Sequence, residues 1–428
     1  MKKLNPLYTL KRWLFISLFF TGAATAFSQS TLEEYQKIAA TNNPELGASF
    51  KNYHAALMQI DQDGALPDPT LLFGYFISPV ETRVGPQFGR LSYTQLFPWF
   101  GTLKAKEAVA SSRAETAYHD FVRTHNKLNY ELEKVWNEFY VLEKSIGFME
   151  QNISLVRSFR QMAKARSSSG RSSMVDVIRA DMELKSLEEE LNELHDKKAP
   201  LRSRFYALVN DTTLNAPEPD TLQHDTLPLS GELALFDSIS ARNPELQQIL
   251  AKQEAQKNEV NVSKKMSHPN ISLGLDYIIT NPRSDMEMPN NGRDAIMPRI
   301  GVSIPLYQKK YSAMRQQAGI REDMIGDEYV DKKNKLLTEM EEVLQAYRKS
   351  KRNTILYNEQ TELAQQALGI MTTSYTTGEL DFEELLRMER KLLEYQLKLV
   401  QAQAERNNAL ANIKRLTGES ATAIPPQK

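Results

Sequence analysis

The second half of this 428-residue chain repeats the first, and the repetition constrains the fold more than any other feature. Residues Asn43–Leu46, which read Asn-Pro-Glu-Leu, return as Asn243–Leu246 at a shift of 200. Gly170 returns as Gly378 at a shift of 208, and apolar residues on both sides of it return at the same shift. Because the matches keep their order along the whole unit, we predict a tandem duplication of one helix–strand–strand–helix–helix unit.

The duplication sets the predicted organisation of the chain. A stretch containing Pro217 and Pro219 separates the two units as an extended linker, and a short segment with Pro425 and Pro426 follows the second unit as a tail. The predicted segments are a signal peptide at 1–28, a first repeat at 29–209, a linker at 210–231, a second repeat at 232–418 and a tail at 419–428.

The first residues predict export from the cytoplasm. Basic residues up to Arg12 precede a short apolar run from Trp13 to Phe20, and small residues then lead to Ala26. Cleavage is expected after Ala26 or Ser28. The alternative, a retained membrane anchor, is disfavoured because the apolar run is shorter than the roughly 20 residues of a spanning helix. The sequence has no cysteine, which excludes disulfide bonds and a lipid-modified N-terminal cysteine.

Each unit contains one very long helix. In the first unit, apolar residues between Leu128 and Ile153 alternate in steps of four and three, the heptad pattern of a helix packed lengthwise against partners. A helix of about 60 residues is roughly 90 Å long. Ser and Gly residues around Gly170 then break the helix. We therefore predict a hairpin whose second helix begins near Met174 and runs to about Lys198.

Each unit also carries two short segments with the alternation of a β-strand. Apolar residues alternate with small or polar ones in Ile271–Ile279 and Ile300–Leu306, and weaker counterparts lie in Thr70–Ile77 and Leu91–Phe97. Their length and apolar face suit transmembrane strands, although a soluble antiparallel sheet lying on helices would alternate in the same way. After the N-terminal run no apolar stretch is long enough for a membrane helix, so a bilayer would be crossed by strands. Four strands cannot close a barrel, which must then be shared between chains.

On these features the chain resembles the TolC-like outer-membrane efflux proteins, also called outer membrane factors. The resemblance rests on the paired Asn-Pro-Glu-Leu starts, on the strand pairs ending in Phe97-Pro98 and Ile304-Pro305, and on the two hairpin turns. It implies a mainly α protein with transmembrane β-structure, in which a homotrimer forms a 12-stranded barrel in outer-membrane lipid and a long helical tube in the periplasm. It also implies a passive exit duct that works with a periplasmic adaptor and an inner-membrane pump, expected to be of the RND type.

The resemblance further places functional residues near the hairpin turns. In the family, acidic residues ring the closed end of the tube, and the matching positions here are Glu384 and Arg387 in the second repeat and Asp176 and Arg179 in the first. Because arginine replaces the second family acid, an i,i+3 pair between Glu384 and Arg387 is an alternative means of holding the tip closed. The turns are expected to dock the adaptor through Ser169, Gly170, Arg171, Thr377, Gly378 and Glu379.

Other functions find little support in the sequence. The formal net charge of −1 gives no reason to expect a nucleic-acid partner. Because catalytic motifs such as His-Glu-x-x-His and Gly-x-Ser-x-Gly do not occur, we predict neither an enzyme nor a cofactor.

Two alternatives stay open at the level of the sequence. Met286, Met288 and Met297 fall in the predicted loop between the later strands and leave a thioether site for copper(I) as a weak alternative. The segments Val84–Gln87 and Phe97–Gly101 also resemble family members associated with heavy-metal efflux, so the cargo could be a metal ion, a drug or a bile salt. The other alternative is a periplasmic coiled-coil protein without a pore.

Overall fold

The computed structural model describes residues 31–222 and 231–419. The predicted signal peptide, residues 223–230 of the predicted linker and residues 420–428 of the predicted tail lie outside the described residues.

The two repeats contain the same elements in the same order up to the last helix. The elements of the first repeat are α1 (Leu32–Asn42), α2 (Pro44–Gly64), β1 (Thr70–Val80), β2 (Gln87–Phe97), α3 (Thr102–Ser168), α4 (Met174–Asp196) and α5 (Lys198–Val209). Those of the second are α6 (Glu232–Arg242), α7 (Pro244–Met266), β3 (Asn270–Thr280), β4 (Ala295–Ser303), α8 (Gln308–Thr377) and α9 (Phe382–Thr417). The repetition seen in the sequence is therefore also a repetition of structure.

The Asn-Pro-Glu-Leu sequence starts a helix and closes each repeat on itself. The side-chain oxygen of Asn43 accepts a hydrogen bond from the backbone amide of Leu46 at 3.0 Å and so caps α2. Its side-chain amide donates to the carbonyl of Leu208, near the end of α5, at 2.9 Å. Asn243 caps α7 in the same way and donates to the carbonyl of Leu416 in α9 at 2.9 Å. One residue type thus joins the beginning and the end of each repeat.

The helices α3 and α8 are the long rods that the heptad pattern predicts. They contain 67 and 70 residues, which corresponds to roughly 100 Å each. The heptad residues predicted for α3 are all buried, and so are the predicted counterparts in α8, Leu336, Met340, Val343 and Tyr347. Near the hairpin turns, apolar residues of α3, α4, α8 and α9 form one cluster. The rods are therefore held by packing along their length, as the heptad pattern predicts.

The returning helix of the first hairpin is interrupted, whereas that of the second is continuous. The predicted helix from Met174 ends at Asp196, and a separate helix, α5, follows after Lys197. Pro200 lies in the first turn of α5 and has no N–H to donate to a carbonyl of the preceding turn. The position 208 residues later is Asn408, which lies within the unbroken α9.

The strands form one antiparallel sheet in the order β1-β2-β3-β4. The pairing of β2 with β3 joins the two repeats, with Ser92 opposite Asp276. The predicted bounds of the last strand were wrong, because β4 begins at Ala295 rather than at Ile300 and ends at Ser303. It follows the full length of β3, with Ala295 opposite Ile278 and Ser303 opposite Asn270.

The helices and the sheet meet at one edge. The helices α2 and α7 lead into β1 and β3, while β2 and β4 lead into α3 and α8. Both strand-to-strand loops, at 81–86 and 281–294, therefore lie at the opposite edge. Among the helices of 31–222 and 231–419, none has the combination of length and apolar character that a membrane-spanning helix requires.

Candidate channel surface and gate

One face of the sheet is apolar and exposed. Successive side chains of a strand point to opposite faces. The residues on this face include Phe73 and Ile77 of β1 and Ile300 of β4, which are 70%, 94% and 78% exposed. Tyr93, Leu275 and Val302 on the same face are also exposed. A contiguous apolar surface of this kind marks a contact with lipid or with another protein.

The other face carries all the charge of the sheet. The four strands contain three charged residues, Arg90, Asp276 and Arg299, and they form one cluster. The carboxylate of Asp276 is buried and accepts a hydrogen bond from Arg90 of β2. It also forms an ion pair with Arg299 of β4, with 3.0 Å between Oδ2 and Nε. An arginine facing lipid at mid-depth costs about 2–4 kcal/mol, whereas the interior of such a barrel is polar. The charged face is therefore the face that suits a water-filled interior.

The structure corrects the expectation about the three methionines. Met286 and Met288 lie in the loop at 281–294, but Met297 lies in β4, opposite Asp276. The register with β3 extends the strand over Ala295–Ile300, which is why the prediction for Met297 was wrong. Across 31–222 and 231–419, no group of three or more His, Cys, Asp or Glu side chains is placed to hold a metal ion.

The two hairpin turns have the same backbone geometry. Gly170 has a φ of 68°, and Gly378 has a φ of 94°, in the left-handed region that favours glycine. The amide of Arg171 donates to the carbonyl of Arg166 at 2.9 Å, and the amide of Glu379 donates to the carbonyl of Ser374 at 3.0 Å. These bonds end α3 and α8 in the same way, since each satisfies a carbonyl in the last turn of the helix.

Arg166 connects the two turns, and the sequence reasoning gave it no role. Its guanidinium lies 4.4 Å from the ring centroid of Tyr375 and donates to the backbone carbonyl of the same residue. A second bond, 3.3 Å long, goes to the carbonyl of Arg171. Tyr375 is only 1% exposed and packs against Phe382 at the start of α9. Arg166 therefore joins the end of the first rod to the end of the second.

The predicted gate residues form two ion pairs. Glu384 and Arg387 form the predicted i,i+3 pair within α9. Arg179 of α4 pairs instead with Glu383 of α9, with 3.2 Å between Nη2 and Oε2. Both pairs are exposed to solvent, and exposed pairs contribute about 0.2–1 kcal/mol. The second pair bridges the two hairpins.

Asp176 differs in burial from Arg179 and Arg387, which are exposed. It is partly buried near Tyr375. Burial raises the pKa of the Tyr375 phenol, and the negative charge of Asp176 raises this pKa further. Asp176 therefore acts on the contact between the two hairpins.

The residues predicted to dock an adaptor are all exposed. Ser169, Gly170 and Arg171 lie in the first turn, and Thr377, Gly378 and Glu379 lie at the end of α8 and in the second turn. In this chain they form the end of the rods that lies farthest from the sheet.

A buried carboxylate lies behind the tip. Glu389 of α9 is 0% exposed, and neither of its carboxylate oxygens has a hydrogen-bond partner. Burial raises the pKa of Glu389 to about 7, and the negative charge of Glu183 on α4 adds to this effect, while Asn152 and Arg390 oppose it. Glu183 is in turn bound by Arg390, with 2.8 Å between Nε and Oε1.

Comparison with known proteins defines the class of this fold. The described chain is similar to the outer-membrane channel OprN, with a TM-score of 0.73 at 19% identity over 90% of this chain and 89% of that chain. It is also similar to CusC, with a TM-score of 0.75 at 16% identity over 90% and 91% of the two chains. For VceC of Vibrio cholerae the TM-score is 0.72 at 18% identity, over 90% and 96%. The fold is that of outer-membrane channels whose trimers form a barrel and a helical tube.

The sequence of the second repeat matches a known family model. The profile of the family described as outer membrane efflux protein matches residues 235–419. No curated protein sequence matches the chain. The second repeat is therefore similar in sequence to outer membrane efflux proteins, as the paired hairpins and strands predict. Proteins of this class span the outer membrane and extend into the periplasm.

Proposed function

We propose that this protein is the exit duct of an efflux system, a homotrimer through which solutes pass passively from the periplasm to the outside. The observation that carries the proposal is the division of the sheet into an exposed apolar face and a face that holds every strand charge. Three copies of the sheet supply 12 strands, which suffices for a closed barrel with lipid outside and water inside. Rods of roughly 100 Å suit a tube that crosses much of a periplasm.

The rival function, a periplasmic coiled-coil protein without a pore, accounts for the rods but not for the sheet. A soluble protein of that kind would cover the face that contains Phe73, Ile77 and Ile300. In the duct this face contacts lipid and the opposite face contacts water, which explains why apolar and polar residues alternate along the strands.

Fractionation and conductance distinguish the two functions. We expect the full chain to be recovered from the outer-membrane fraction as a trimer that dissociates only on heating in detergent. We also expect the purified trimer to form discrete ion-conducting pores in planar lipid bilayers. A monomer in the soluble periplasmic fraction, or an outer-membrane trimer that never conducts, would contradict the duct.

The hairpin turns are proposed to dock a periplasmic adaptor that connects the duct to an inner-membrane pump of the RND type. The exposure of Ser169–Arg171 and Thr377–Glu379 supports this assignment, because these residues close the end of the rods opposite the sheet. The predicted segments at 29–209 and 232–418 then each contribute one hairpin, so a trimer presents six turns to its partner.

Glu384 and Arg387 are proposed to stabilise the closed form of the tip, with Glu384 and Asp176 facing the constriction. Because an exposed i,i+3 pair contributes about 0.3–0.5 kcal/mol, Glu384→Ala is expected to shift the closed-to-open ratio by roughly twofold. Single-channel recording should show a larger mean conductance and a shift of ion selectivity towards anions. Glu394→Ala, which removes another paired carboxylate of α9, is the matched control. Identical records from Glu384→Ala and the native trimer would remove Glu384 from the gate.

A further inference from the structure

The charged cluster of the sheet holds more positive than negative charge. Within the strands, the charges are those of Arg90, Asp276 and Arg299, and all three lie on the face away from the apolar surface. Both guanidinium groups contact the same carboxylate oxygen, Oδ2 of Asp276. One carboxylate can balance only one guanidinium, so each chain retains one positive charge at this level.

The cluster is fixed in place rather than carried on mobile side chains. Asp276 is buried, and Nη2 of Arg299 also donates to the hydroxyl of Thr94 at 3.2 Å. Gly274 leaves room for this arginine, since a Cβ there would lie 3.3 Å from Nη2 of Arg299. Asp276 is the seventh of the eleven residues of β3, so the cluster lies near mid-depth of the sheet.

The nearest charges on the loops do not reproduce this arrangement. Glu81 and Arg83 of the first loop cancel each other. The loop at 281–294 holds two arginines and three acidic residues, which gives one net negative charge per chain at the outer mouth. Charges in solvated loops are screened over about 10 Å at 0.1 M salt, whereas charges in a low-dielectric wall act over a longer range.

We propose that Arg90 and Arg299 form a cationic ring in the barrel that favours anionic solutes over cations. This inference rests on the proposed duct. Three chains place three net positive charges at one level around the axis. Rings of arginine or lysine give selectivity for anions in pores, as carboxylate rings do for cations. The cargo that this ring suits is a small organic anion, such as a carboxylate-bearing compound, and a bare metal cation would be disfavoured.

The absence of cysteine from the chain allows a local test in the intact trimer. Leu72 is exposed on the charged face, opposite Ser92, which is itself opposite Asp276. Two strand spacings put this position roughly 10 Å from the ring. Leu72→Cys trimers are reconstituted in vesicles with the outer mouth exposed. The rate at which the cysteine is modified is then measured for an anionic and for a cationic methanethiosulfonate, at about 10 mM salt.

The informative comparison is between Leu72→Cys alone and Leu72→Cys combined with Arg299→Gln. The substitution of Arg299 removes the surplus positive charge and keeps the ion pair between Arg90 and Asp276. One unit charge at roughly 10 Å in water changes the ratio of the anionic to the cationic rate by about fourfold. We expect that ratio to fall by this factor or more when Arg299 is replaced. A cysteine in the exposed loop, Ser284→Cys, should show no change. Should Arg299→Gln fail to form trimers, the neutral set Arg90→Gln, Asp276→Asn and Arg299→Gln replaces it.

The outcomes separate this inference from the duct itself. A conducting trimer whose rate ratio at residue 72 does not change with Arg299→Gln would overturn the ring and leave the duct intact. A conducting trimer in which neither reagent reaches residue 72 would also overturn it, because the charged face would not line the pore. Failure to conduct at all would instead count against the duct.

Discussion

Replacing Arg166 by alanine is expected to separate the two hairpin turns and to open the tip. The substitution removes a guanidinium that lies over the Tyr375 ring at 4.4 Å and bonds to the carbonyls of Tyr375 and Arg171. Hydrogen bonds to a charged group contribute about 1.5–3 kcal/mol, and a cation–π contact contributes about 0.5–2 kcal/mol. Local opening should therefore become more frequent by roughly tenfold to a hundredfold.

Hydrogen exchange and conductance measure this effect at different levels. Backbone amides from Tyr375 to Leu385 should lose protection in Arg166→Ala, while amides in the middle of α3 should not. Single channels of the variant should spend more time in a high-conductance state. Arg171→Ala is the control, because Arg171 contributes to this contact through its backbone carbonyl. Equal protection in Arg166→Ala and Arg171→Ala would show that Arg166 does not hold the tip.

The contact of Arg166 with Tyr375 is an example of a feature that could not be predicted from the sequence. The heptads of α3 could be predicted because the period of buried residues is a local property of the chain. The two turns could be predicted because glycine and serine mark them locally. Arg166 and Tyr375 are 209 residues apart, and the sequence contains no pattern that pairs an arginine in one turn with a tyrosine in the other.

The sheet illustrates the same distinction. Alternation of apolar and polar residues identified four strands and their two faces, since side chains of a strand alternate between the faces. It could not identify the start of β4, because Met297, Pro298 and Arg299 do not read as a strand on their own. Their conformation is fixed by pairing with Asp276 and its neighbours in β3, which is a tertiary contact.

Glu389 is a further residue that the pattern did not reveal. It follows Leu385 by four residues and so lies on the buried stripe of α9, but its chemical type suggests an exposed position. Its counterpart 208 residues earlier, Asp181, is partly exposed and pairs with Arg160 at 2.5 Å. The repeat therefore places a solvated ion pair at one position and a buried carboxylate at the other.

This buried carboxylate makes the stability of the tip depend on pH. The folded-state pKa of Glu389 is about 7, above the ordinary value of 4.5, so the folded protein binds the proton more tightly than the unfolded chain does. The contribution of Glu389 to stability is therefore greatest below pH 4.5. It falls as the pH rises from about 4.5 to 7 and is constant above that range. The full difference corresponds to about 3 kcal/mol per chain.

Glu389→Gln is expected to remove this loss, because glutamine keeps the shape of the protonated acid and cannot ionise. Thermal unfolding of the helical signal, scanned at one rate because large assemblies unfold irreversibly, should show a higher midpoint for the variant at pH 8 and nearly the same midpoint at pH 5. Glu150→Gln, an exposed carboxylate of α3, should change neither midpoint. Since Glu183, Arg390 and Asn152 surround Glu389 from three helices, protonation there favours the packed arrangement of α3, α4 and α9. An equal gain at both pH values would mean that glutamine improves packing and that the charge of Glu389 has no part in the stability of the tip.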